Sequence, residues 1–227
     1  SRAKATPILR MNNVSATYDK GRVAALKSAD LAVSGGEIVG VQGPSGCGKS
    51  TLLRLAMGIE RPNSGTSWRA DSLARPGAIL PVFQDPVGSL VPHWPVWRSV
   101  VEPLTVPGQR RLPRNEKRQK VAAALARVGL DDIDPEARPS ELSIGQCLRG
   151  ALARATISEP ALIVADEPTS ALDSPSTWLV SRLLRDAADR GAAVLVVSHD
   201  STFLDRLVDR IVRMEAGRTF EPKVAAQ

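Results

Sequence analysis

Residues 37–57 read EIVGVQGPSGCGKSTLLRLAM, and this stretch decides the fold. Its first six residues form a short apolar run of the kind that makes a buried strand. Six residues from Gly43 to Gly48 then hold three glycines, which let the chain curl tightly. From Lys49 to Met57 the residues favour a helix, and Gly58 stands where a helix ends. The segment Gly43, Pro44, Ser45, Gly46, Cys47, Gly48, Lys49, Ser50 fits G-x4-G-K-[ST], followed by Thr51. Between a strand and a helix, such a loop turns successive backbone N–H groups inward and adds the positive end of the helix dipole. Lys49 is placed to meet the β and γ phosphates of a nucleoside triphosphate, and the Ser50 hydroxyl to ligate Mg²⁺. Cys47 reads as a small residue in a turn.

Outward from the loop, residues 8–33 alternate apolar and polar positions around a turn at Lys20-Gly21. They predict short, antiparallel strands. Residues 61–80 hold turn residues and short apolar pieces and lead into a strand at 78–83. Residues 85–113 contain six prolines and read as irregular. Helices are predicted at 114–128, closed by Gly129, and at 141–157. Strands follow at 161–165 and 192–198, with helices at 176–190 and 202–208. A final strand is expected at 211–214, turning at Gly217. The fold class is therefore α/β: a P-loop NTPase core of mostly parallel sheet with flanking helices, an antiparallel β lobe, and an inserted helical lobe at about 85–157. One domain spans 1–227.

Composition narrows the class without choosing a partner. Hydrophobic residues make up 43% and charged residues 24%, which suits a globular chain. The apolar runs are far shorter than the roughly 20 residues of a membrane-spanning helix. Residues 1–10 show no apolar core of a signal peptide. Cys47 and Cys147 make no metal-type spacing, and a reduced compartment is the simpler reading. A formal charge of +6 is compatible with nucleic acid, anionic lipid or plain solubility. The basic run of Arg110, Arg111, Arg114, Lys117, Arg118 and Lys120 has no interleaved aromatics, so it reads as a solvated face rather than a nucleic-acid groove.

Two acids, Asp166 and Glu167, close the apolar run at 161–165. In open α/β sheets ligands bind at the carboxyl ends of strands. Asp166 is thus expected to face the metal, and Glu167 to polarise an attacking water as general base. His199 ends the next buried strand and is expected near the γ-phosphate or that water.

These residues resemble the ATP-binding subunits of ABC transporters. The likeness runs over residues 8–218 and rests on ordered motifs: GPSGCGKST (43–51), Gln84, LSIGQ (142–146), LIVADE (162–167), SALD (170–173) and SHD (198–200). The resemblance implies ATP and Mg²⁺ as cofactors, with Tyr18 stacking on adenine. It implies that Gln84 senses Mg²⁺ and water, so the metal set is Ser50, Gln84 and Asp166, and the catalytic set Glu167, His199 and Gln84. Ser143, Gly145 and Gln146 belong to the signature, which implies contacts to ATP held by a second ATPase subunit. Asp173 resembles the residue that couples the two sites. Further implied partners are permease membrane subunits and, indirectly, a solute-binding protein, with no nucleic acid. The implied location is peripheral, on the cytoplasmic side of the membrane.

One residue departs from the family pattern. Ile144 stands where the signature usually carries Gly. If the position takes helical angles Ile is tolerated; if it needs positive φ the signature is impaired. The stretch 83–96 (FQDPVGSLVPHWPV) is similar to the peptide, nickel and opine importer ATPases. Trp94 and Trp97 in it read either as anchors for a membrane-subunit helix or as packing between lobes. Two other functions stay open: a nucleic-acid machine of the same superfamily, and a partly degenerate regulatory subunit of a heterodimer. No coiled coil, zinc module or tandem ATPase domain speaks for the first, and Lys49, Glu167 and His199 speak against the second.

Overall fold

The strand at the heart of the 37–57 stretch, β3 (Ile38–Gln42), is an inner strand of a six-stranded sheet. The structure is a computed structural model that describes residues 6–19, 22–82, 90–105, 111–170 and 174–220. Strand order is β5-β6-β7-β3-β8-β9, with β5 (Ile79–Val82), β6 (Leu162–Asp166), β7 (Ala193–Val197), β8 (Arg210–Glu215) and β9 (Arg218–Phe220). The strands run parallel except β9, which returns antiparallel on β8. The turn expected at Gly217 therefore leads into one more strand, and 211–214 is not the last.

A period of two divides the apolar residues of this sheet between two cores. Ile38, Ile163, Ala165, Val194 and Val196 face one side. There they meet α2 (Val96–Val101), α3 (Arg114–Arg127), α4 (Ile144–Thr156), α5 (Ser174–Asp189) and α6 (Ser201–Leu207). Val39, Val41, Leu162, Val164, Leu195 and Val197 face the other side, against α1 (Lys49–Met57) and the antiparallel sheet. A strand buried on both faces must be apolar throughout, which is why these runs were so plain in the sequence. Each large side chain buried this way contributes about 1.5–3 kcal/mol.

The antiparallel sheet has the order β2-β1-β4: β1 (Pro7–Tyr18), β2 (Val23–Ser34) and β4 (Ser64–Arg69). The pairing expected across residues 8–33 is present as one long hairpin. β4 reads SGTSWR and is not visible as a strand in the sequence, because most of its residues are exposed and it carries no apolar alternation. Backbone pairing with β1 makes it a strand. The ladder shifts register between Asn12 and Ser15, where Asn13 takes φ 50°. Opposite this bulge Gly65 sits at φ 87°, and an added Cβ would lie 2.3 Å from the Asn13 carbonyl oxygen. Arg69, at the end of β4, donates to the carbonyls of Leu55 and Ala56 and so caps the C-terminal end of α1.

The described residues between β5 and β6 are helices, turns and loops. α2 corrects the irregular reading of 85–113. It is six residues long and continues as a 3-10 turn over Glu102–Thr105, burying Val96, Val100, Val101 and Leu104. So short a helix after Pro95 gives no periodicity to read. α4 begins at Ile144, after a 3-10 turn at Pro139–Glu141, rather than at residue 141.

The bulge gives a test of the antiparallel sheet. Gly65→Ala is expected to cost about 2 kcal/mol through strain and backbone contact. That corresponds to a melting temperature about 4–8 °C lower, read by circular dichroism.

Candidate functional site

The loop after β3 is shaped by what surrounds its glycines. At Gly43 an added Cβ would lie 2.3 Å from the Met214 carbonyl oxygen and 2.8 Å from Cys47 Sγ. Gly46 has φ 75°. Gly48 has φ 107° and stands as the N-cap of α1, with the Ala25 carbonyl oxygen 2.3 Å from where a Cβ would be. The Gly217 N–H donates to the Cys47 carbonyl (3.0 Å), and the Lys27 N–H to the Gly217 carbonyl (2.7 Å). The loop is thus pressed against β2 and the β8–β9 turn and can take few other shapes. Pro44, Ser45 and Gly46 face solvent, as does Ser50, whereas Cys47 and Thr51 are buried. Cys47 is a packed small residue, as expected.

Lys49 is buried at 8% exposure, and its Nζ donates to the carbonyls of Gly43 (2.7 Å) and Pro44 (2.9 Å). No acidic residue lies in the first turn of α1, so the positive end of this helix faces the loop uncompensated. An ammonium, a bare helix start and a glycine loop with no room for side chains form a cradle for an anion.

The parallel register carries further groups to the same edge. Val197 pairs with both Val41 and Asp166, so the ends of β3, β6 and β7 are level. Asp166 ends β6 half-buried. Burial pushes its carboxyl up, the neighbouring Glu167 adds to the rise, and Lys49, His199 and Arg54 oppose it. Glu167 has φ 49°, unusual for a residue with a side chain, and its N–H donates to the Val197 carbonyl (2.9 Å). The turn swings its carboxylate toward β7. There Oε2 accepts from the His199 backbone N–H (3.3 Å), and Oε1 lies 3.2 Å from His199 Nε2. The second contact is close but not aligned as a hydrogen bond, so the buried Oε1 keeps an unused acceptor. Asp200 caps α6 by accepting from the Phe203 N–H (3.0 Å), which holds the His199 corner.

Tyr18 closes β1 beside α1. Its hydroxyl contacts Glu60 Oε2, Thr51 Oγ1 (3.3 Å) and Arg54 Nη2 (3.1 Å). Arg54 and Glu60 escaped the sequence reading. They lie 36 and 42 positions from Tyr18, and no motif links them.

The signature residues lie on α4, and their hydrogen bonds stay local. Ser143 is the N-cap: its Oγ accepts from the Gln146 N–H (3.2 Å), while its own N–H donates to Gln146 Oε1 (2.9 Å). Ile144 is the first helical residue and is absent from the positive-φ positions, so its backbone suits a β-branched side chain. Its side chain is 67% exposed. At Gly145 an added Cβ would be 3.8 Å from Ser176 Oγ, an ordinary distance. Of the expected site residues, Gln84 and Asp173 lie outside the described residues, as do Arg110 of the basic run and the Lys20-Gly21 turn.

Trp97 packs against the helical core and donates from Nε1 to Glu136 Oε2 (3.0 Å). The Arg98 guanidinium lies 4.2 Å from the centre of the Trp94 ring. Both rings line a groove of about 520 Å³ together with Val101, Arg114 and Lys117, away from the phosphate loop. Among the described residues no helix is long and apolar enough to cross a membrane.

Residues 26–170 match the family described as ABC transporter. The methionine import ATP-binding protein MetN 2 of Rhodococcus jostii (strain RHA1) is 38% identical over 227 residues, covering 95% of this chain and 66% of that protein. The probable D,D-dipeptide transport ATP-binding protein DdpF of Escherichia coli (strain K12) is 36% identical, covering 88% and 63%. The chain thus spans about two thirds of the length of these two relatives. The lipoprotein-releasing system ATP-binding protein LolD of Pseudomonas syringae pv. tomato is 36% identical, covering 94% of this chain and 97% of that protein. Among solved structures, the dimeric post-hydrolysis state of the ATP-binding cassette MJ0796 bound to ADP and Pi superposes with TM-score 0.81 at 31% identity, over 96% of this chain and 100% of that one. The phosphate cradle, the level strand ends and this likeness lead to one conclusion: the chain belongs to the ABC transporter family, as an ATP-binding cassette.

Proposed function

We propose that this chain binds ATP with magnesium at Gly43–Thr51 and hydrolyses it as half of a shared site, powering solute import through permease membrane subunits. The observation that carries this is the convergence of buried Lys49, the Asp166–Glu167 pair and His199 at one level sheet edge. The whole chain serves as a single ATP-binding domain.

The loop's amides and Lys49 bind the β and γ phosphates; in doing so Lys49 exchanges its two loop carbonyls for phosphate oxygens. Ser50 and Asp166 would hold magnesium, with Gln84 as the third ligand. The raised carboxyl of Asp166 fits this role, since a half-buried acid beside another acid gains most from a cation. Magnesium, when bound, neutralises charge on the phosphate oxygens. The Glu167 carboxylate, held beside His199, takes the proton of the attacking water. His199 orients Glu167 through its backbone N–H and its ring, and reaches toward the γ-phosphate. Tyr18 stacks on adenine. Ser143, Gly145 and Gln146 contact the nucleotide of a second ATPase subunit, and Asp173 couples the two sites. The groove at Trp94 and Trp97 receives a helix of the membrane subunit, which places the chain peripherally on the cytoplasmic face, with a solute-binding protein engaged only indirectly.

Import of a peptide, nickel or a similar small solute is supported by the 83–96 stretch and by likeness to the methionine and dipeptide import proteins. A second reading, lipoprotein release, is favoured by the LolD relative, whose length this chain nearly fills. Transport assays with reconstituted permeases, scored for inward solute flux or for lipoprotein release, decide between them.

Three measurements test the site. Glu167→Gln is expected to lower kcat at least about 100-fold while ATP still binds; unchanged turnover removes Glu167 as the base. Asp166→Asn is expected to raise the melting temperature of the nucleotide-free chain by relieving repulsion with Glu167, and to abolish the magnesium dependence of ATP binding. Ile144→Gly is expected to leave turnover unchanged, because the backbone there is helical already; a rise would show that the isoleucine side chain itself obstructs the signature.

A further inference from the structure

Four side chains from separate parts of the chain meet beside α1. Tyr18 comes from the end of β1, Thr51 and Arg54 from α1, and Glu60 from the turn after it. A phenol has one proton to give and two lone pairs. Tyr18 donates that proton to Glu60 Oε2, and so accepts from Arg54 Nη2 at 3.1 Å and faces the Thr51 hydroxyl at 3.3 Å as acceptor. The hydroxyl is then saturated. Arg54 Nε lies 2.8 Å from Glu60 Oε1, an ion pair whose N–H is not aligned as a hydrogen bond. The guanidinium carbon also stands 5.8 Å from the centre of the Tyr18 ring. Neighbouring backbone is tied as well: the Thr17 N–H donates to Asn63 Oδ1 (2.7 Å) and the Asn63 N–H to the Ser15 carbonyl (2.8 Å).

This cluster joins two bodies. β1 belongs to the antiparallel sheet, whereas α1 grows directly out of the phosphate loop. An aromatic ring on a hairpin end has two free torsions and stacks weakly unless something fixes its height and tilt. Here the same helix that binds phosphate also grips the ring. Charge-assisted hydrogen bonds are the strong kind, and their geometry is narrow.

We propose that Glu60 and Arg54 are positioning residues for the nucleotide base: through the Tyr18 hydroxyl they set the ring at a fixed place relative to the phosphate loop. Base and triphosphate are then recognised as one rigid span, and nucleotide affinity depends on two side chains that touch neither. The inference rests on the reading of Tyr18 as the adenine platform.

The test compares binding of ATP with binding of inorganic tripolyphosphate, which carries the charge but no base, to the full chain with magnesium. Tyr18→Ala checks the platform; Tyr18→Phe and Glu60→Ala check the clasp. Arg54 is left alone because its charge also acts on Asp166. The expected result is that Tyr18→Phe and Glu60→Ala each weaken ATP binding about threefold to tenfold, with tripolyphosphate binding unchanged. The double variant should be no weaker than the worse single one, because both act on ATP through the Tyr18 hydroxyl. If Tyr18→Ala leaves ATP affinity unaltered, the platform reading fails and takes the clasp with it. If Tyr18→Ala weakens ATP binding but Glu60→Ala does not, the platform stands and the positioning role is overturned. Equal weakening of ATP and tripolyphosphate by Glu60→Ala also overturns it, since the residue would then be acting through the phosphate loop or the fold.

Discussion

A buried ammonium that meets no carboxylate in ion-pair range among the described residues is the constraint on which the rest of the site depends. Among the described residues Lys49 Nζ has two backbone carbonyls of its own loop as partners. A lone buried charge is expensive unless it is hydrogen-bonded, so the loop must keep its carbonyls aimed inward. That shape is possible because Gly43 and Gly48 lie against carbonyl oxygens where no side chain fits. The β2 strand and the β8–β9 turn press on the loop from outside. The cradle thus holds its cation between its own carbonyls.

The same economy explains where the two carboxylates stand. Parallel strands of equal register deliver Asp166, Glu167 and His199 to one level, and the left-handed turn at Glu167 aims its carboxylate sideways toward β7. The pairing with His199 leaves one carboxylate oxygen engaged and the other spare. On the helical side, the signature is a well-capped helix start whose polar residues satisfy one another and leave an exposed Ile144. It is complete as local structure and turns its isoleucine outward.

Sequence and structure agree wherever burial is two-sided or a motif is contiguous. The strands β3, β6 and β7 announce themselves because both faces are apolar, and the loop because its spacing is mechanistic. β4 is different: SGTSWR becomes a strand only by pairing with β1, and nothing local says so. α2 is too short for a helical period, and β9 has three residues. At the site, Lys49, Asp166, Glu167 and His199 were legible one by one, but not the contact between Glu167 and His199 across 32 residues. Ile144 was ambiguous in sequence because its tolerance depends on a backbone angle, and the helix start resolves it. Arg54 and Glu60 were silent: a charged residue on a helix or in the turn after it reads the same whether it is solvated or gripping a tyrosine.

The backbone angle at Glu167 has a consequence for how this chain can change. Left-handed φ suits Gly or Asn better than Glu, and holding a longer side chain there stores on the order of 1 kcal/mol of strain. Drift toward greater stability at this position therefore runs toward Gly, Asn or Asp, none of which carries a carboxylate at the reach of Glu. Any selection for robustness alone would erode the Glu167 end of the site before the phosphate cradle. A lineage relieved of turnover but still required to bind nucleotide would find Glu167 among the easiest of its functional residues to lose.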